Sequence, residues 1–133
     1  MQITRQTDYA IRCVLYLSRM RERVVVVDDI AVIMDIPKSF LAKILQRLTK
    51  AGIVKSSRGI KGGFQLAKKP RQISLLDIIE AIQGPAGMNR CAINKDICRF
   101  SKTCTVHPVW VELRQKVEQH LKKVTFQKLI KLK

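Results

Sequence analysis

The sequence predicts a mainly α fold with one small β-hairpin (α+β), and three observations predict it. Residues 28–51 read as a short helix, a break at Asp35-Ile36-Pro37, and a second helix whose faces separate cleanly. Residues 53–67 read as two short strands around a glycine-rich turn, and residues 108–123 as one long amphipathic helix. The first and last follow a 3.6-residue apolar period, the middle one an alternation of two.

The elements follow in order. Thr4 to about Met20 is expected to be helical: Tyr9, Ala10, Cys13 and Leu17 recur on one stripe, widened by Ile11, Val14 and Leu15. Cys13 lies on that stripe and reads as a small buried hydrophobe without a site. Val24 to Val27 is a β-branched run, suited to a brief strand or an extended connection. Asp28-Asp29 opens a helix through Met34, with acids where the helix dipole favours them. Pro37 suits the first turn of the next helix, where its missing N–H costs nothing, and Gly52 suits its end. Leu41, Ile44, Leu45 and Leu48 form its apolar stripe. Ser39, Ala42, Lys43, Gln46 and Lys50 project from the other side, flanked by Lys38 and Arg47.

A short helix, a turn, and a second helix with a small, polar, basic outer face is the helix-turn-helix pattern, whose second helix enters the major groove of DNA. Ile53 to Arg58 and Phe64 to Ala67 then make a hairpin around Gly59-Ile60-Lys61-Gly62-Gly63. Placed directly after such a helix, the hairpin is a wing. Arg58 and Lys61 fall at its tip, where a cation can enter the minor groove. The two glycines are not a phosphate loop, because no G-x-x-x-x-G-K-[ST] is present. The architecture is therefore a winged helix-turn-helix followed by a long C-terminal helix.

Ser74 is expected to cap the helix of residues 75–82, with Asp77 completing a capping box. Gln83 to Gly87 ends it. Pro108 starts a helix to about Lys123, with Val106, Trp110, Leu113, Val117 and Leu121 along one side. That stripe needs cover, from the Tyr9–Leu17 helix or from a second chain. Operators repeat with two-fold symmetry, so a homodimer is the economical expectation and the helix its dimerisation element. Thr125 suits the cap of a last helix, 126–132.

Charge supports a nucleic-acid partner. The 133 residues carry a net charge of +16. From Lys38 to Arg71 there are ten basic residues (38, 43, 47, 50, 55, 58, 61, 68, 69 and 71) and no acid. A solvated surface normally mixes signs; an unmixed one suits a polyanion, whose counterions are released on binding. An anionic membrane surface is the weaker alternative.

The segment from Cys91 to His107, CAINKDICRFSKTCTVH, holds three of the four cysteines, spaced C-x6-C-x5-C. Its polar spacers predict an exposed loop. Thiolates select zinc, Cu(I) or iron–sulfur clusters. Structural zinc sites use tighter knuckles, whereas wider spacers can wrap a cluster, to which histidine can also be a ligand. Cluster, zinc and free or redox-active thiols all remain open on spacing. The N-terminus has no apolar region of signal-peptide type, and no run approaches the roughly 18 apolar residues of a membrane span. A reducing cytoplasm is therefore expected, which disfavours structural disulfides. No C-x-x-C pair, paired carboxylates or nucleophile–base constellation points to an enzyme. His120 reads as a surface residue.

Several motifs together, MQIT-x3-DYA-x-R, KILQ-x-L-x-KAG-x-V, SSRG-x-x-GGF-x-LAK, SLLDIIEAI and the three cysteines, resemble the Rrf2-type winged-helix regulators. The iron–sulfur members (IscR-, NsrR- and RirA-like) are the nearest in pattern, over almost the whole chain. The resemblance implies a cytoplasmic, homodimeric transcription factor, expected to be a repressor, that holds one cluster per subunit. On it, Cys91, Cys98 and Cys104 match the cysteine ligands and His107 the histidine of IscR-like members. Asp8 stands where NsrR-like members present an aspartate from the partner chain and is the alternative fourth ligand. A [2Fe–2S] centre is expected ahead of [4Fe–4S]. The same resemblance implies that Ser39, Lys43 and Gln46 face the major groove. It puts Arg58 and Lys61 at the minor groove, and Lys38, Arg47 and Lys50 at phosphates. Ala42 occupies the position where IscR-like proteins place a discriminating glutamate. Residues 1–83 would form the DNA-binding unit, 84–105 the cluster loop, and 106–133 the dimerisation helix with a short terminal helix. The alternative is a winged-helix protein stapled by zinc or switched through its thiols.

Overall fold

The computed structural model describes residues 1–21, 23–57 and 62–132. Helix α1 spans Arg5–Arg19 and begins at Thr4, whose hydroxyl accepts the Thr7 N–H at 3.1 Å. It buries Ala10, Cys13, Val14 and Leu17, the stripe read from the sequence, together with Thr7 and Ser18. Ser18 satisfies its hydroxyl internally by donating to the Val14 carbonyl oxygen at 2.6 Å. Helices α2 (Val27–Ile33) and α3 (Lys38–Lys50) follow, joined by a turn in which Asp35 takes φ +53°. The Ile36 N–H donates across that turn to the Ala31 carbonyl oxygen, and the Ile36 side chain is buried.

Strands β1 (Val54–Ser57) and β2 (Gly63–Leu66) pair antiparallel, Val54 facing Leu66 and Ser57 facing Gly63. The β-branched run before α2 makes a single bridge at Val25 rather than a strand. Val25 and Phe64 exchange both backbone hydrogen bonds at 2.9 Å, so β2 is flanked on both sides. Gly63 is required there. A Cβ on it would lie 2.7 Å from the Val25 carbonyl oxygen.

Helix α4 (Leu75–Gln83) carries the capping box expected of it. Ser74 Oγ accepts the Asp77 N–H at 3.1 Å, and Asp77 Oδ2 accepts the Ser74 N–H at 2.9 Å. The cysteine segment is not a plain loop. It contains α5 (Arg90–Ile93) and a 3-10 turn at Lys95–Ile97. Asparagines explain both departures: Asn89 and Asn94 each accept a backbone N–H two residues on, which starts a helical turn locally.

Helix α6 (His107–Lys123) packs on α4 and α5, and none of its residues is fully buried. Of the two covers expected for its stripe, the first helix is not the one α6 packs on. Helices α3, α4 and α7 (Phe126–Lys131) cover α1 instead. Phe126 is fully buried in the common core. The Phe126 N–H donates to the Ile73 carbonyl oxygen at 3.0 Å and the Leu75 N–H to that of Val124 at 2.8 Å. The chain thus leaves the winged unit at α4 and returns to the same point fifty residues later, with Ser74 and Thr125 paired as bridge partners.

Candidate nucleic-acid interface and cysteine segment

The two faces of α3 separate as its sequence requires. Leu41, Ile44, Leu45 and Leu48 are buried, and Ser39, Ala42, Lys43, Gln46 and Lys50 are all exposed. Among the described residues neither Lys43 nor Lys50 is in an ion pair. Their charges stand available to phosphates, with nothing to displace first. Lys38 is different: its ammonium meets Asp28 Oδ1 at 2.6 Å across the turn, tying α3 to α2. Arg47 is different again. Its guanidinium donates to the Ile82 carbonyl oxygen at 2.9 Å and to Gln6 Oε1 at 3.5 Å. An arginine expected at phosphates is therefore engaged in holding the end of α4, whose last carbonyls lack helical partners. Arg58 and Lys61, the expected wing-tip cations, lie outside the described residues.

Arg12 is a residue that sequence reasoning missed. It donates to the Met34 carbonyl oxygen at the end of α2, pairs with Asp8 at 3.0 Å, and lies over the Tyr9 ring, 5.2 Å from its centre. Tyr9 in turn packs against Phe40 of α3. One side chain of α1 thus fixes how the two helices of the reading unit sit. The sequence offered its four-residue spacing from Asp8 and its place in the DYA-x-R motif, but neither names these partners.

In the cysteine segment all three thiols are free and half-buried. Cys91 sits in α5, Cys98 follows the 3-10 turn, and the Cys104 N–H donates to the Phe100 carbonyl oxygen at 2.7 Å. His107 is the first residue of α6. Cys98 and His107 open on one cleft of ≈ 400 Å³, beside three cations, Lys95, Arg99 and Lys102, and one acid, Asp96; Cys91 and Cys104 do not line it. His107 Nδ1 is buried without a hydrogen-bond partner among the described residues. An imidazole nitrogen in that condition is costly unless something binds it. No three Cys, His, Asp or Glu side chains among the described residues stand close enough to share one metal ion. The donor chemistry nonetheless suits a thiolate-bound group: three thiols, one unpartnered nitrogen and cationic surroundings for a negative charge. Arg114 ties this segment to α6, donating from Nη1 to the Ala92 carbonyl oxygen at 2.8 Å while its Nε pairs with Glu118 at 2.6 Å. Asp8 is on α1, held by Arg12.

A reading helix with a free basic face, a hairpin beside it and a cysteine segment behind it leave one further observation. A family model described as Rrf2, iron-dependent transcriptional regulator, matches residues 3–132. The chain belongs to the Rrf2 family. As such it is a DNA-binding transcriptional regulator and not an enzyme. A protein of Aquifex aeolicus assigned as a helix-turn-helix-type transcriptional regulator is 36% identical over 126 residues, covering 93% of this chain and 88% of the relative. The helix-turn-helix-type transcriptional regulator IscR of Xenorhabdus nematophila is 28% identical over 132 residues, covering 98% and 80%. Among solved structures, CymR, the global cysteine regulator of B. subtilis, superposes with a TM-score of 0.80 over 100% of this chain and 98% of CymR. At 24% identity that likeness shows the fold. Among the described residues no helix is long and apolar enough to cross a membrane.

Proposed function

We propose that this Rrf2 regulator is a cytoplasmic homodimeric repressor whose grip on its operator depends on an iron–sulfur cluster held by the cysteine segment. The observation that carries this reading is His107. Its Nδ1 is buried and unpartnered, and it shares a cleft with Cys98 in a segment with three free thiols. The family description, iron-dependent, and the similarity to an IscR support it. Cys91, Cys98, Cys104 and His107 would hold the cluster, with Asp8 of the partner subunit as the alternative fourth ligand. [2Fe–2S] is favoured over [4Fe–4S]. Bound there, the cluster would supply reversible one-electron chemistry and a covalent tie between parts of the segment.

The residues of the chain supply the coupling. The donors are spread over α5, the turn after it and the start of α6, so ligation has to draw these elements together. Arg114 fastens α5 to α6, α6 lies on α4, and Arg47 fastens the end of α4 to the reading helix α3. A rearrangement in the segment therefore has a continuous packed route to α3, and to the spacing of two reading helices on half-sites one helical turn apart. Residues 1–83 then serve DNA and 84–105 the cluster, α6 of the 106–133 segment serves the dimer, and α7 completes the core of the winged unit. Ser39, Lys43 and Gln46 would read the major groove, Arg58 and Lys61 the minor groove, and Lys38 and Lys50 the phosphates, while Arg47 is engaged at the end of α4.

Purification without oxygen, with a visible spectrum and iron, sulfide and zinc analysis, tests this. Visible absorption with stoichiometric iron and sulfide is expected, lost or shifted in His107→Ala and unchanged in Asp8→Ala. A colourless protein still free of iron after anaerobic reconstitution would end the cluster reading. A second reading has support of its own, because the thiols stand free on separate elements and the fold matches a cysteine regulator. One zinc per chain would leave a structural staple, and a metal-free protein whose DNA affinity changes on thiol oxidation a redox switch.

A further inference from the structure

The run of ten cations does not face one way. Lys38, Lys43, Arg47 and Lys50 lie on α3, but Lys55, Lys68, Lys69 and Arg71 line a separate cleft of ≈ 1010 Å³. The cleft lies between the outer side of the hairpin, the turn at Pro70–Gln72, the end of α1 and α7. Arg21, in the turn after α1, joins the four cations, and Gln127 of α7 adds an amide. No acid lines it among the described residues. Among those residues Arg21, Lys68, Lys69 and Arg71 enter no ion pair, although the chain forms such pairs at Asp8, Asp28, Glu112 and Glu118. Cations gathered on one concave surface raise its positive potential and attract anions. Lys68, Lys69 and Arg71 are exposed and none belongs to the core.

We infer that this cleft is a second phosphate-binding surface, separate from the outer face of α3, and that it takes the backbone of DNA flanking the site that α3 reads. The inference rests on the DNA-binding assignment of the winged unit. It extends it in one respect. The hairpin becomes a ridge with phosphates on two sides, α3 on one and the cleft on the other, so the duplex must follow the protein beyond the half-site. The same chemistry would also accept a free phosphorylated small molecule.

The experiment compares wild type with the triple variant Lys68→Gln, Lys69→Gln, Arg71→Gln, and with Lys43→Gln, Lys50→Gln on α3, all checked for unchanged thermal unfolding. Binding to a 40-base-pair duplex of random sequence is measured against salt. Each lost phosphate contact flattens the slope of log K on log salt by about 0.9, so the triple variant is expected to lose up to about 2.7 units. The α3 pair should also flatten it. In parallel, sodium pyrophosphate is titrated into DNA-free protein while the backbone amides of residues 65–72 are followed by NMR. A flattened slope in the triple variant establishes the flanking-DNA surface. An unchanged slope, with saturable pyrophosphate shifts that the variant abolishes, assigns the cleft to a small phosphorylated ligand and rejects DNA there. No change in either readout overturns the inference, while DNA binding lost only through the α3 pair keeps the regulator reading intact. Failure of wild type to bind any duplex would instead undo the DNA-binding assignment.

Discussion

Asp35 holds the left-handed turn between α2 and α3 at φ +53°, a conformation glycine takes freely and aspartate tolerates because its short polar side chain can bond locally. Asp35→Val should cost about 1–3 kcal/mol, read as a lower unfolding midpoint, with Asp35→Gly close to wild type. The fully buried Cys13 makes a different forecast, because burial pushes its thiol from 9.0 up to about 12. Below pH 9 the thiol is neutral whether the chain is folded or not, and the full benefit of burial is present. Between 9 and about 12 only the unfolded chain ionises, so this residue lowers stability as pH rises through that window. Urea midpoints measured from pH 8 to 11 should fall less steeply in Cys13→Ala than in wild type. Alkylation of the native protein near neutral pH should modify the three segment thiols and spare Cys13.

At the scale of elements, legibility followed periodicity. The buried stripe of α3, the Ser74–Asp77 box and the Thr125 cap were all readable, because each depends on residues within a turn or two of one another. The features that escaped were set from far along the chain or by local side-chain bonds. Val25 becomes a bridge residue only because Phe64 is available, forty positions away. Residues 90–93 turn helical because Asn89 offers an acceptor, which a polar spacer does not advertise. At the candidate site the sequence marked the donors, Cys98 and His107 among them, but not the bonds of Arg47 and Arg114 that connect their segment to α3. An arginine's partners are chosen by the fold, and its charge alone suggests solvent or phosphate. Gly63 gives the sharpest forecast here. Gly63→Ala would force its Cβ onto the Val25 carbonyl, at a cost of about 1–3 kcal/mol by analogy with overpacking. Faster amide exchange at Val25 and Phe64 should report the lost bridge.

For the whole molecule, the half-exposed stripe of α6 carries the assembly forecast. Trp110, Leu113, Val117 and Leu121 each remain partly exposed although α6 rests on α4 and α5. If this stripe meets its counterpart across a two-fold axis, Leu113→Glu should shift sedimentation from dimer towards monomer while the winged unit keeps its unfolding midpoint. It should also weaken binding to a two-half-site operator far more than binding to one half-site. The return of α7 to the core sets a different constraint, one on synthesis. Phe126 fills the centre of the winged unit yet follows the cysteine segment in the chain, so it leaves the ribosome after it. Domains usually complete as they emerge, N-terminal first, but this winged unit has to wait for residues that lie beyond the cysteine segment. By then Cys91, Cys98 and Cys104 have already been exposed to the cell on a nascent polypeptide whose core is still open. Whatever first reaches those thiols, metal donor or oxidant, meets the protein before it can hold DNA.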